Sequence, residues 1–391
     1  MAAGTGLSTT PADLPEDHLF PDDESIMRRA LSIALQGLGH TEPNPAVGAV
    51  IVDQHRRMIA EGWHAGFGSQ HAEVMAIQSA RTTRDARMFV TLEPCSHHGK
   101  TPPCVDAVIA AEFAEVVVGC EDPAPHASGR GITRLKDAGI SVRTGLCHAE
   151  ARQLIAPFAM LQRNSRPWIH AKWAMTLDGR IAASTGHSRW ITCRKSREQV
   201  HKLRGIMDAV ITGAGTVRCD DPRLTARPPG PRTATRIVLD STGSSIHEKL
   251  RLIQTQSVAP LIVCLADNQP ADTARRIRHL GAEVLLLPKT EQGHLCVVSL
   301  MHELGRRNMT HVLIEAGAGV TGHFFEAQLI DEVHAFIAPK LVGGTKALSP
   351  IGGIGRPSIP TTSDLEKLSV LQIDEDVLIQ GRITRTGLPN A

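Results

Sequence analysis

Short apolar runs that suit buried strands alternate with helix-forming segments over units of about 30 residues, and this rhythm constrains the fold more than any other feature. Asp22-Asp23 reads as the N-cap of a helix, MRRALSIALQGLG, that ends at Gly37 or Gly39. A Pro-bounded turn, Glu42-Pro43-Asn44-Pro45, leads into the strand AVGAVIV. The alternation continues through HAEVMAIQSA (helix), MFVTLEP (strand), PPCVDAVIAAE (helix), EVVVGCED (strand), GITRLKDAGI and SVRTG. It predicts a mostly parallel sheet covered on both faces. A second series follows APFAMLQRNSRPW, with strands WIHAKWAM, DAVITG, RIVLDS, APLIVCLA, AEVLLLP, HVLIEAG and EVHAFIAP.

A chain of 391 residues suits two α/β domains. The boundary is expected near Asn164-Ser165: a disordered tail over 1–21, rich in Pro, Thr and acids, then domains over 22–165 and 166–391. Two Gly- and Pro-rich stretches, 225–236 and 343–360, read as long loops of the kind that border sites. Lys plus Arg is 42 against 40 Asp plus Glu, and this net charge of +2 argues against a grossly basic nucleic-acid binder. Aromatics at 3%, with no Tyr, leave few platforms for base stacking. Eight cysteines are too sparse for a disulfide scaffold and point to a reducing compartment. No apolar run approaches the ~20 residues of a membrane span, and the first residues lack signal-peptide features, so a cytoplasmic protein is expected.

The sharpest chemical signal is His71-Ala72-Glu73, followed by Pro94-Cys95 and Cys104. One His and two Cys supply three ligands to a zinc ion and leave its fourth position open for water. Each ligand falls at an element boundary, and a helix N-terminus favours an ionised thiolate. Glu73, on the same turn as His71, can reach a bound water without ligating the metal. This is the H-x-E … P-C-x-x-C deaminase pattern in order and role, except that the cysteines lie nine positions apart, not three. A closed structural site would need a fourth protein ligand, for which His97 and His98 are available. The other six cysteines have no metal spacing. His64 reads equally as a pocket residue or an exposed loop histidine, and Asn44 as a base-reading amide or a plain turn residue.

In the second series, HVLIEA runs into Gly317-Ala318-Gly319-Val320-Thr321-Gly322 and then a helix, a turn suited to phosphate. It lies late in its domain and lacks an acid about 20 residues on, so it is not the dinucleotide fingerprint of a Rossmann fold. ITGAGTVRCDDPRLTAR adds a second glycine turn with Thr216, Asp220, Arg218 and Arg227, and Arg204 lies on a helix nearby in sequence.

The wording PNPAVGAVIV, HAEVMA and TLEPCSHHGKTPPC resembles the deaminase half of the bifunctional riboflavin-biosynthesis deaminase/reductases, in which the long Cys–Cys loop is the rule. KWAMTLDGRIA, SRWIT, GAGTVRCDDPRLTAR, RIVLDS and LIEAGAGVTGHFF resemble the reductase half. The resemblance spans roughly residues 22–385. It implies a cytidine-deaminase-like α/β/α domain followed by a dihydrofolate-reductase-like α/β domain. One zinc per chain would sit on His71, Cys95 and Cys104, with Glu73 as proton shuttle. NADPH would meet Ala174, Trp190, Thr216, Asp220, Ser241, Gly317, Ala318, Gly319, Val320, Thr321, Gly322 and His323. A pyrimidine ribosyl-phosphate would meet Ser188, Arg204, Leu224, Arg227 and Glu315; Lys172 falls near the reacting carbon without being counted among these contacts. A homo-oligomer, dimer or tetramer, is implied, with neither nucleic acid nor membrane as partner. Two rival readings are a deaminase of bases within nucleic acid and a non-catalytic zinc module. The near-neutral charge and missing Tyr oppose the first, and the intact Glu73 opposes the second.

Overall fold

The computed structural model describes residues 14–384 except 16, 99–101 and 126. Most of the expected N-terminal tail therefore lies outside the described residues. The part of it that is described is packed, not disordered: Leu19 bridges to Arg57, and Phe20 is 3% exposed among the side chains of the first helix. The chain forms two compact units that meet in sequence at Ser165/Arg166.

In the first unit, strands β1 (Gly48–Val52), β2 (Met58–Trp63), β3 (Arg87–Leu92), β4 (Glu115–Cys120) and β5 (Ser141–Thr144) form one sheet in the order β2-β1-β3-β4-β5. Helices α1 (Asp23–Ala34), α2 (Ala72–Ser79), α3 (Cys104–Ala110), α4 (Arg130–Asp137), α5 (His148–Leu154) and α6 (Ala156–Asn164) accompany it. Asp22 caps α1 by accepting from the Ser25 backbone N–H at 2.7 Å. The strands bury alternate residues on opposite faces: Val50, Val52, Phe89 and Val117 pack with Ile26, Ala30 and Ile33 of α1, while Ala49, Ile51, Val90 and Val116 pack with α2, α3 and α4. The sheet is mixed rather than mostly parallel, which corrects the expectation. The unexpected strand β2 pairs antiparallel with β1, and β1 then lies between β2 and β3 and runs against both. Only β3, β4 and β5 are mutually parallel.

The second unit holds a nine-stranded sheet of β6 (Trp168–Thr176), β7 (Ala209–Gly213), β8 (Thr235–Leu239), β9 (Leu261–Ala266), β10 (Glu283–Leu287), β11 (His311–Ile314), β12 (Glu332–Ala338), β13 (Leu365–Ile373) and β14 (Asp376–Ile383). Its order is β10-β9-β8-β7-β11-β6-β12-β14-β13. The seven expected strands form the parallel block, and the unexpected pair β13/β14 continues it antiparallel. Helices α7 (Arg194–Arg204), α8 (Ala214–Asp220), α9 (Arg251–Gln254), α10 (Ala271–His279), α11 (Val297–Arg306) and α12 (Ala318–Glu326) complete the unit. α11 and α12 pack with Ile211, Ile237 and Ile262 on one face; α7, α8 and α10 pack with Val210, Val238 and Val263 on the other. Among the described residues, no helix is long and apolar enough to cross a membrane.

Candidate active sites

In the first unit, β3 ends at Leu92 and delivers Glu93 and Cys95 to a cavity of about 420 Å³. His71, in extended conformation, is the N-cap of α2, and Cys104 is the first residue of α3. These boundaries bring together residues 24 and 33 positions apart: His71 Nδ1 lies 3.1 Å from Cys104 Sγ and 3.6 Å from Cys95 Sγ. A tetrahedral zinc with ordinary Zn–N and Zn–S bonds sets N···S edges of about 3.5 Å, so the donor set fits the metal. The exposed His97 and His98 stand outside this group, which has three ligand residues among those described. The backbone N–H of Cys104 donates to Cys95 Sγ at 3.3 Å. The hydrogen bond from the Cys104 side chain, with help from His71 and against burial, pulls the Cys95 thiol down to about 4. Its partner Cys104 is correspondingly pushed far above its usual range.

Glu73 shares the cavity and is 3% exposed. Burial pushes its carboxyl up to about 7, against the pull of His71. Two residues gain weight from the structure. His64 is buried on the cavity wall, its ring 5.0 Å from that of His71, which decides between its two sequence readings. Glu93, which sequence reasoning passed over, accepts the backbone N–H groups of Asp122, Gly129, Gly131 and Ile132 at 2.8–3.2 Å and so ties the loop before α4 to the end of β3. The only signal in the sequence is an acid beside Pro94-Cys95 where a strand stops.

In the second unit, the C-terminal ends of β6, β7, β8 and β11 lie side by side, where open α/β sheets hold ligands. Gly213 and Gly317 are the N-caps of α8 and α12 on the neighbouring strands β7 and β11. A Cβ on Gly213 would come 2.8 Å from Val320 Cγ2, so the two helix starts approach closely. A Cβ on Gly215 or Gly319 would meet nothing within 4 Å, which leaves open backbone that suits a nucleotide phosphate. Thr216 lies beside Gly317, Asp220 closes α8, and Ala174 lies on β6. Ser241 follows the end of β8. Not all of the glycine run is open. Thr321 is 3% exposed, and Gly322 is packed so tightly that a Cβ would sit 2.5 Å from the Gly352 carbonyl oxygen. The His323 ring lies 3.8 Å from that of His294, centroid to centroid, tilted by 41°. Trp190 is exposed, with the Arg197 guanidinium 4.5 Å over its ring, and Ser188 is half-buried near it in sequence.

Glu315, just past β11, is held by Arg204 Nε and Nη2 at 2.5 and 2.8 Å and by Lys172 Nζ at 3.7 Å. Burial alone would raise this carboxyl, but Arg204 and Lys172 outweigh it and hold it at about 2. Burial draws the Lys172 ammonium below its usual range. Arg204 also donates to the Thr225 carbonyl at 3.2 Å, so in this structure its guanidinium holds protein groups. Arg227 is exposed and meets His201 Nε2 at 3.5 Å, while Leu224 is buried at 3% exposure.

The first unit thus holds a His/Cys/Cys metal group with a buried acid beside it, and the second an open glycine cradle at its strand ends. Residues 21–120 match the family model of the cytidine and deoxycytidylate deaminase zinc-binding region, and residues 167–379 match that of the RibD C-terminal domain. Riboflavin biosynthesis protein RibD of Escherichia coli K12 is 40% identical over 338 residues, covering 82% of this chain and 89% of that protein. The solved structure of Acinetobacter baumannii RibD (form 1) is 33% identical with a TM-score of 0.80, covering 93% of this chain and 99% of that one. A diaminohydroxyphosphoribosylaminopyrimidine deaminase/5-amino-6-(5-phosphoribosylamino)uracil reductase from Thermotoga maritima is 36% identical with a TM-score of 0.79, covering 92% and 98%. The chain belongs to the RibD family, the bifunctional deaminase/reductases of riboflavin biosynthesis, with zinc and NADPH as cofactors. The resemblance read from the sequence, including a cytidine-deaminase-like domain ahead of a dihydrofolate-reductase-like one, holds.

Proposed function

We propose that residues 22–165 deaminate 2,5-diamino-6-(5-phosphoribosylamino)pyrimidin-4(3H)-one and that residues 166–391 reduce the ribosyl group of the resulting 5-amino-6-(5-phosphoribosylamino)uracil to ribityl. The observation that carries the reading is the approach of His71, Cys95 and Cys104 to one another, with Glu73 in the same cavity. Zinc, held by these three side chains, supplies a Lewis acid that makes water a nucleophile at neutral pH. Glu73 takes the proton of the attacking water and delivers it to the ring and the departing ammonia; its raised carboxyl suits both halves of that exchange. His64 and Asn44 line the wall against which the pyrimidine is held. In the second unit NADPH, when bound, would supply a hydride to C1′ of the ribose, whose C1′–O4′ bond breaks as O4′ takes a proton, leaving the ribityl chain. The open backbone at Gly215 and Gly319 seats the cofactor, with Ala174, Trp190, Thr216, Asp220 and Ser241 around it. Glu315, fixed by Arg204 and Lys172, orients the sugar, and Arg227 with Ser188 and Leu224 borders its phosphate end.

The enzyme is read as cytoplasmic and homo-oligomeric. Eight free cysteines support a reducing compartment, and Leu368, Val370 and Leu371, exposed on the edge strand β13, support self-association. One coupled assay tests the whole: the diamino substrate should release ammonia first, and NADPH should then be consumed mole for mole. Ammonia release without NADPH consumption would leave only the first half of the reading standing.

A further inference from the structure

Away from the glycine turns, β6 and β12 place His170 directly opposite Glu332, and His334 follows two residues on. Side chains alternate along a strand, so all three stand on the same face of the sheet. His170 is 6% and His334 3% exposed. His170 Nδ1 lies 3.1 Å from His334 Nε2, Glu332 Oε2 lies 3.8 Å from His170 Nδ1, and Glu332 Oε1 lies 3.4 Å from His334 Nε2. The deaminase and reductase steps use none of these groups.

Two physical readings compete. In a plain chain of hydrogen-bonded imidazoles, one proton joins His170 to His334, and the acid sits at 3.4 and 3.8 Å, longer than the usual 2.7–3.2 Å of an N–H···O bond. In a metal site, tetrahedral bonds of about 2.0–2.1 Å set donor–donor edges of about 3.3–3.4 Å. The His–His separation is 3.1 Å, and each imidazole has a different Glu332 oxygen near that distance, so the ion would draw one oxygen towards both. The surroundings suit the second reading. His170 Nε2 is 3.1 Å from His311 Nδ1, and His334 Nδ1 is 2.8 Å from Gln380 Nε2. In this rotamer Gln380 donates to Nδ1; a metal on His334 Nε2 requires the amide to turn over, so that its carbonyl accepts the Nδ1–H and Nε2 is left free. Trp168 Nε1–H donates to Glu332 Oε2 at 3.3 Å, and Arg382, opposite Glu332 on β14, lies over the Trp168 ring at 4.9 Å. Each ligand thus has a partner that fixes its orientation.

We propose that His170, Glu332 and His334 form a second metal site, for a divalent transition-metal ion of the zinc class, that clips β6 to β12 in the reductase unit. Two imidazoles and one carboxylate select zinc and its borderline neighbours over calcium or magnesium, which take oxygen ligands. His170 precedes Lys172 by two residues on the same face, so the ion would brace the strand beneath the Lys172–Glu315 pair, about 7 Å along it.

The test is metal content of the full-length protein after loading with excess zinc and desalting. Two zinc ions per chain are expected in the wild type, one in Cys104→Ser, one in His334→Gln and one in Glu332→Gln, and none in the Cys104→Ser/His334→Gln pair. A wild type with a single zinc that Cys104→Ser removes overturns the proposal, as do His334→Gln and Glu332→Gln proteins that both keep the wild-type count. Cobalt(II) in the Cys104→Ser protein decides the matter if the His334 and Glu332 variants do not fold. Visible d–d bands without thiolate-to-cobalt charge transfer are expected. No bound cobalt, or a single bound cobalt that shows thiolate charge transfer from Cys95, would mean that the histidines form only a hydrogen-bonded chain.

Discussion

Glu73 and Glu315 are both buried acids, and their surroundings push them in opposite directions. Around Glu73 burial dominates and the carboxyl rises to about 7, so it can take and return a proton near neutrality. Glu73→Gln should keep its zinc and lose ammonia release by ~10²–10⁴. Metal analysis beside an ammonia assay checks this, and near wild-type turnover would refute the shuttle. Around Glu315 two cations outweigh burial and hold the carboxyl at about 2. A folded-state value below the unfolded one gives stability that is complete above about pH 4.5 and fades as pH falls towards 2. Glu315→Gln, which leaves Arg204 buried without its partner, should cost about 3–5 kcal/mol at pH 7. Urea unfolding at pH 7 and pH 3 should show that cost shrinking in acid; an equal cost at both would remove the ion pair from the account. His71, Cys95, Cys104 and Glu73 were legible in the sequence because their chemistry is specific and their spacing matched element boundaries. The contact between Glu315 and Arg204 was not, because 111 residues separate them and only the order of strands in the sheet brings them together.

Strand β2 shows what periodicity can miss at the scale of elements. MIAEGW carries an acid and a glycine, and buries only Ala60 and Gly62, so its apolar signal is thin. Glu61 is tolerated there because Arg29 of α1 meets it. Gly62 is needed because α2 lies directly on it: a Cβ would sit 2.5 Å from Ala76 N and 2.7 Å from Ala72 O. The helix pressed against this glycine carries Glu73 and is capped by His71. Gly62→Ala should therefore cost about 1–3 kcal/mol and also weaken zinc retention, because α2 must move off the strand. Thermal unfolding with and without a chelator measures both; a destabilised protein that holds zinc as the wild type does would separate the strand's packing from the site. The strands β13 and β14 escaped notice for a related reason. β13 is largely exposed, so LEKLSVLQI has no core-facing alternation to read, and Gly381 interrupts β14. By contrast parallel strands such as β7 and β9 are apolar runs buried along their whole length, which is why they were visible.

At the scale of the whole molecule, the two sets of buried apolar residues stay on their own sides of Ser165. The clusters around β1–β5 draw on residues up to Ile155, and those around β6–β14 start at Ile169. A fragment of residues 166–391 should accordingly fold, bind NADPH and reduce the deaminated intermediate while releasing no ammonia. Calorimetry with NADPH and an absorbance assay check it; a folded fragment that binds no NADPH would refute the assignment of the reductase to this unit. The division into halves could be read because His71, Cys95 and Cys104 all precede Asn164 and the two glycine turns described above follow Pro167. The separateness of the cores carries a consequence for inheritance. A reading frame cut after Ser165 would yield two genes, each of whose products keeps its own interior whole. What a single frame provides is dosage: every messenger yields the first catalyst and the second in equal number, whatever the strength of its promoter.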